Sequence, residues 1–125
     1  MLPVEINNSL SFAANNILIV AATEAIYTLP VSSIIRIQAM SNYSRIYLSN
    51  NRTITVAKVL DWFQKKNSMQ TFVRTHRTHL VNKNFIQQIK TIGNTGSFVF
   101  LFNGEKISVS RRRKKMIRDA FSIAC

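Results

Sequence analysis

Alternation with a period of two recurs along this chain and drives it toward β-sheet. In residues 35–40, Ile35, Ile37 and Ala39 fall on one face and Arg36 and Gln38 on the other. Residues 43–48 repeat the pattern, with Ser44, Ile46 and Leu48 opposite Tyr43, Arg45 and Tyr47. Successive side chains of a strand point to opposite faces, so a half-buried strand must read this way. Residues 17–21 and 25–29 are apolar runs of strand length separated by Ala22-Thr23-Glu24, and residues 53–56 are rich in β-branched side chains. Turn signals punctuate the series: Asn50-Asn51, Gly93-Asn94-Thr95-Gly96, and Asn103-Gly104, which leads into residues 106–109 as the strongest short hairpin signal. Between the last two turns Phe98, Phe100 and Phe102 share one strand face and Val99 and Leu101 the other. The aromatic face is expected in the core, because exposing that much apolar surface is costly.

Three stretches depart from this period. Val59, Leu60 and Phe63 form a helical stripe, with Asp61 and Lys65-Lys66 at the ends that suit their charges. A second short helix is expected after Asn82, a good N-cap, burying Phe85, Ile86 and Ile89. Ser110 is expected to cap a final helix that buries Ile117, Ala120 and Phe121. The predicted fold is α+β, a mainly antiparallel β-sheet domain with short helices. It occupies residues 17–121, between a lead-in at 1–16 and a tail at 122–125. It lacks the pair of long helices that a helix-turn-helix reader needs.

Charge narrows the partner. The 125 residues hold 17 Lys and Arg against 5 Asp and Glu, a formal net charge of +12. None of those cations precedes Arg36. Eleven lie between residues 73 and 118 (Arg74, Arg77, Lys83, Lys90, Lys106, Arg111, Arg112, Arg113, Lys114, Lys115 and Arg118), opposed there by Glu105 alone. One-sided charge of this kind is the footprint of a polyanionic partner, nucleic acid before membrane. The longest apolar run, residues 17–22, is too short to span a bilayer, and the N-terminus has no signal-peptide pattern. The lone Cys125 permits no disulfide within the chain and fits a reducing cytoplasm, where the protein is expected.

Three segments carry the candidate chemistry. In Ser110-Arg111-Arg112-Arg113-Lys114-Lys115, cations at a helix start oppose its dipole. A docked phosphate relieves that conflict by meeting backbone N–H groups, the Ser110 hydroxyl and the guanidinium forks of Arg111 and Arg113. One Arg can reach deeper, since a bidentate contact to guanine is the commonest base-specific one. In the second segment, residues 73–82, donors are packed between apolar anchors, Phe72 on one side and Leu80-Val81 on the other, which can hold Arg77 and Thr78 against a groove. His76 and His79 have metal-ligand spacing but no third ligand stands near, so packed or hydrogen-bonded histidines are expected and no metal. The third segment is the hairpin at residues 40–45. There Asn42 can turn, donate and accept, and Tyr43 offers a stacking face and a hydroxyl.

Taken in order, Asn42-Tyr43 before an alternating strand, then Phe72-x-Arg74-x-His76-Arg77-x-x-Leu80-Val81-Asn82, then Asn103-Gly104 leading to Val109-Ser110-Arg111-Arg112, this series resembles the LytTR family over residues 17–121. The resemblance implies a compact β-rich fold whose loops, rather than a recognition helix, enter successive major grooves of duplex DNA. It implies base contacts from Asn42, Tyr43, Arg77 and Arg112 and phosphate contacts from Thr78, Ser110 and Lys115. It further implies a bacterial transcription regulator, a response regulator of a two-component system, that binds paired direct repeats, often as a homodimer on DNA. Members usually carry a receiver or membrane domain ahead of this one, so an upstream sensor kinase or receiver is the implied partner. Residues 1–16 here read only as a short lead-in. The family tends to have an aromatic residue where His79 stands.

Other function classes fit less well. The five acids, Glu5, Glu24, Asp61, Glu105 and Asp119, are scattered singly, so no carboxylate cluster serves metal-dependent hydrolysis. There is no Gly-rich phosphate loop, and a Cys–His nucleophile is improbable with the cysteine at the terminus. No enzyme and no cofactor is expected. No helix joins a basic face to a large apolar one, which argues against a membrane surface. The runner-up is an RNA-binding module in which exposed Phe98, Phe100 and Phe102 stack unpaired bases. Burial of those rings separates the two readings.

Overall fold

The computed structural model describes residues 16–120. The alternating stretches become strands close to where their period places them: β1 (Ile17–Ala21), β2 (Ile26–Pro30), β3 (Ile34–Met40), β4 (Tyr43–Leu48) and β5 (Thr53–Val56). A short helix α1 (Leu60–Gln64) follows, then β6 (Phe72–His76), β7 (His79–Asn82), β8 (Ile86–Ile92), β9 (Gly96–Leu101), β10 (Lys106–Val109) and the closing helix α2 (Lys114–Ala120). All pairings are antiparallel. They build a β1–β2 hairpin, a five-stranded sheet in the order β5-β4-β3-β7-β6, and a three-stranded sheet in the order β10-β9-β8. The expected fold class holds.

The five-stranded sheet is buried on both faces. One face packs with the β1–β2 hairpin and α1 around Leu18, Val20, Ile34, Ile37, Ile46, Phe63 and Leu80. The other contributes Ile35 and Val81 to a second core with Val99, Leu101, Ile107, Val109 and Ile117 from the three-stranded sheet and α2. The result is three layers with the long sheet in the middle.

Strand β3 departs from the expected alternation. Its register slips between Ile34, opposite Leu48, and Arg36, opposite Tyr47. This bulge sends Ile34 and Ile37 into one core and Ile35 into the other, so Ile35 does not share the face of Ile37 and Ala39. Arg36 is buried at 7% exposure instead of facing solvent. Burial is tolerated because its guanidinium meets Glu105 at 2.9 and 3.1 Å, donates to Gln38 Oε1 at 2.9 Å, and lies 3.7 Å from the Tyr47 ring centre.

Four further expectations are corrected. After Asn82 a single 3-10 turn (Lys83–Phe85) gives way to β8, not to a helix. Asn82 does cap that turn, accepting from Asn84 N–H at 3.1 Å, while its amide donates to Ile34 O at 3.0 Å and anchors the bulged end of β3. Val59 is the exposed residue before α1 rather than part of its buried stripe. On β9 the core face belongs to Val99 and Leu101; Phe98 and Phe100 are only half-buried, and Phe102 is 66% exposed. The aromatic face is therefore the outer face. Ser110 stands where the expected cap stands, but its side chain makes no capping bond, and a 3-10 turn (Arg111–Arg113) intervenes before α2. Ile117 is buried as expected. Phe121, the tail at 122–125, and the lead-in apart from Asn16 lie outside the described residues.

Candidate nucleic-acid interface

Two of the three candidate segments meet at one end of the five-stranded sheet because β3 is shared. Its last residue, Met40, pairs with Tyr43 across a two-residue turn, Ser41-Asn42, in which Ser41 rather than Asn42 takes the left-handed conformation (φ 60°). On its other side, Gln38 pairs with His79, and Ala39 N–H donates to Thr78 O at 2.9 Å. That bond joins β3, which leads into the hairpin turn of Asn42 and Tyr43, directly to the turn carrying Arg77 and Thr78. The third segment is tied in through β6, where Ser110 N–H donates to Thr75 O at 2.8 Å.

The Arg77-Thr78 turn is rigid for reasons visible in its neighbours. His76 pairs with His79 across it, and a bulge between Arg74 and His76 re-aims the strand just before it. Arg74 clamps the turn from below. Its Nε donates to His76 O at 3.0 Å and one terminal nitrogen to Arg77 O at 2.6 Å, while the other reaches Asp61 at 3.1 Å and Gln64 at 2.6 Å on α1. The His76 Nδ1 accepts from Thr78 N–H at 3.2 Å and lies 2.9 Å from the Thr78 hydroxyl. His79 is packed rather than ligating. Burial, and then the electrostatic influence of Arg36 and of the neighbouring His76, push it down from 6.5 to about 4, so it is neutral at ordinary pH. Glu105 is held below its ordinary range chiefly by hydrogen bonding to Arg36, against the opposing effect of burial. Among the described residues no group of three His, Cys, Asp or Glu side chains is placed to hold a metal.

Exposure sorts the candidate residues. Asn42, Arg77, Arg111, Arg112 and Lys115 are exposed, and Tyr43 is 53% exposed. Thr78 and Arg113 are half-buried, Arg113 lining a shallow groove with Gln64, Phe72, Arg74 and Met116. The Ser110 hydroxyl is enclosed and has no hydrogen-bond partner among the described residues. What these side chains present outward is donors and positive charge: guanidinium forks, an ammonium, an amide and a phenol. Such a set can donate to anionic oxygens and to base edges. Arg74 and Arg36, counted with the cations by sequence, are engaged inside the molecule. Asp61 and Gln64 stand one helical turn apart, but Lys65 four residues after Asp61 offers that carboxylate a local partner, so no signal within the segment singles out Arg74.

Comparisons with known proteins agree with this fold. Residues 24–122 match the family described as LytTr DNA-binding domain. The chain is 33% identical over 67 residues to a sensory transduction protein LytR of Streptococcus mutans, a match covering 54% of this chain and 28% of that protein. It is 26% identical over 108 residues to a protein of the same name from Staphylococcus haemolyticus, covering 86% and 42% respectively. The chain thus spans less than half the length of these curated relatives. Its fold superposes with a TM-score of 0.72, at 21% identity, on the LytTr DNA-binding domain of a methyl-accepting/DNA response regulator from Bacillus cereus, covering 86% of this chain and 98% of that one. Among the described residues no helix is long and apolar enough to cross a membrane.

Proposed function

The chain belongs to the LytTr DNA-binding domain family, a family of DNA binders and not of enzymes, and from that premise we propose that it reads paired direct repeats in duplex DNA as part of a transcription regulator, with basic loops entering successive major grooves. The observation that carries this reading is the pair of backbone bonds, Ala39 to Thr78 and Ser110 to Thr75, that gathers three separate segments with exposed donors around one sheet end.

In this reading Arg77 and Arg112 offer guanidinium forks to guanine edges, and Asn42 and Tyr43 read bases from the adjoining hairpin. Thr78, Arg111, Arg113 and Lys115 hold phosphates and set the register. Ser110 joins them when its enclosed hydroxyl rotates outward. Two copies centred about 10.5 base pairs apart would read one side of the DNA, pairing as a homodimer there. The longer relatives are named sensory transduction proteins, which supports coupling to an upstream receiver or sensor kinase in a bacterial cytoplasm.

Selection from randomised duplex DNA at near-physiological salt tests the proposal. Enrichment of paired direct repeats one helical turn apart is expected. Absence of any enriched motif, with random duplex and single-stranded RNA competing equally well, overturns it.

A further inference from the structure

We propose that the outer face of the β8–β9–β10 sheet is a second nucleic-acid surface, separate from the loops, that stacks the unpaired bases of single-stranded DNA. The inner face of this sheet is consumed by the core through Val99, Leu101, Ile107 and Val109. The register then leaves a compact lattice outside. Phe98 sits between Lys90 on β8 and Ser108 on β10, and Phe100 sits between Gln88 and Lys106. The four flanking residues are exposed, the two rings half-buried, and none of the six is acidic. Among the described elements, β9 makes its extensive contacts with β8 and β10 alone.

Two phenyl rings on a solvent face are costly where a Thr or Lys would serve the strand equally well. Flat apolar faces interleaved with ammonium groups suit a partner that is itself flat and apolar between negative charges, which describes an unpaired nucleic-acid strand. The ring centres lie 6.5 Å apart and are inclined at 59°, so the two rings are not stacked on each other. Lys106 Nζ rests 4.6 Å from the Phe98 ring centre. An incoming base takes that place, and the displaced ammonium meets the neighbouring phosphate. Bases paired within a duplex cannot stack on such a face, because their own faces are already covered. The choice of DNA over RNA rests on the reading of the loops: the chain passes from Ser108 on β10 through Ser110 into the turn of Arg111 and Arg112, so a strand parted from the gripped duplex reaches Phe98 along one continuous segment. The stacking chemistry itself is independent of that reading.

Fluorescence anisotropy with labelled oligothymidine and, separately, labelled duplex tests this on the full chain. Phe98→Leu and Phe100→Leu keep apolar bulk on the strand while removing the flat ring, and circular dichroism reports whether they fold. Each is expected to weaken oligothymidine binding by roughly 5- to 150-fold and leave duplex binding unchanged. Lys106→Gln is expected to reduce the single-strand salt slope by about 0.7. Arg112→Ala separates the two surfaces, since it weakens duplex recognition and spares oligothymidine. Folded Leu variants that bind oligothymidine like the parent overturn the proposal. So does a dimer of the free protein that these variants dissolve in sedimentation, which assigns the face to a second copy. Markedly tighter binding of oligouridine than oligothymidine overturns the assignment to DNA.

Discussion

Every nitrogen of the Arg74 guanidinium is engaged within the molecule, while Arg112 stands exposed on the turn before α2. Two cations of the same type therefore serve different ends, one holding a loop and the other offered to a partner. Arg74→Lys preserves charge but cannot span four acceptors. It is expected to cost roughly tenfold on the selected operator and little on random duplex, as read by anisotropy titration. Arg112→Ala is expected to narrow the ratio between operator and random sites, because a bidentate guanine contact is worth about 1–3 kcal/mol. Lys115→Ala should weaken all duplexes alike; equal losses for both variants on both DNAs would dismiss the division between base and phosphate contacts. These exposed residues were legible in the sequence as an ordered series of turn and basic residues. Arg74 was not, since its role depends on Asp61 and Gln64 reaching it from α1.

At the scale of elements, two of the misread segments, β3 and β8, share one cause. An apolar pair three residues apart reads as helical, yet a bulge makes the same spacing work in a strand by inserting one residue into the ladder. Ile86 and Ile89 on β8 both pack on the second core because the register slips between Ile86 and Gln88. Ile34 and Ile37 do the same on β3. The β3 bulge also buries Arg36 against Glu105, a bond between the central and the three-stranded sheets. Glu105→Ala strands that guanidinium and is expected to cost about 3 kcal/mol in urea unfolding. The same cluster makes the fold acid-sensitive. His79 titrates in the folded protein at about 4, below its ordinary 6.5, so the stability it confers is complete above pH 6.5 and is lost as pH falls toward 4. Glu105 is also lowered, from 4.5, so its contribution is lost below that value. Urea midpoints measured from pH 7 to pH 4 should fall steadily. His79→Gln should flatten the upper part of that fall, by on the order of 1 kcal/mol for a half-exposed ring.

For the whole molecule, a net charge of +12 predicts strongly salt-dependent association. The logarithm of the duplex binding constant should fall linearly with the logarithm of salt, by about 0.9 for each phosphate neutralised. Removing Lys115 should reduce that slope by about one, whereas removing Arg74, already paired internally, should leave it nearly unchanged. A slope indifferent to Lys115 would take that residue off the phosphates. The charge is useful because the layers hold it on loops and on one outer sheet face, while the β1–β2 hairpin at the opposite side of the central sheet carries no Lys or Arg.

The sequence by itself determined the class of fold, the positions of most strands, the turns that carry the exposed donors and the sign of the partner. Alternation, turn chemistry and charge are local properties, readable one segment at a time. Only the tertiary structure decided which face of β9 is core, where the bulges fall, which arginines are consumed internally and which turns share a sheet end. Each of those depends on contacts between residues far apart in the chain: Arg36 with Glu105, Ala39 with Thr78, Thr75 with Ser110. Phe98 and Phe100 make the point most directly. Their alternation announced a two-faced strand, but which face meets water was settled by Val99 and Leu101 fitting against Ile35 and Val81 of the central sheet.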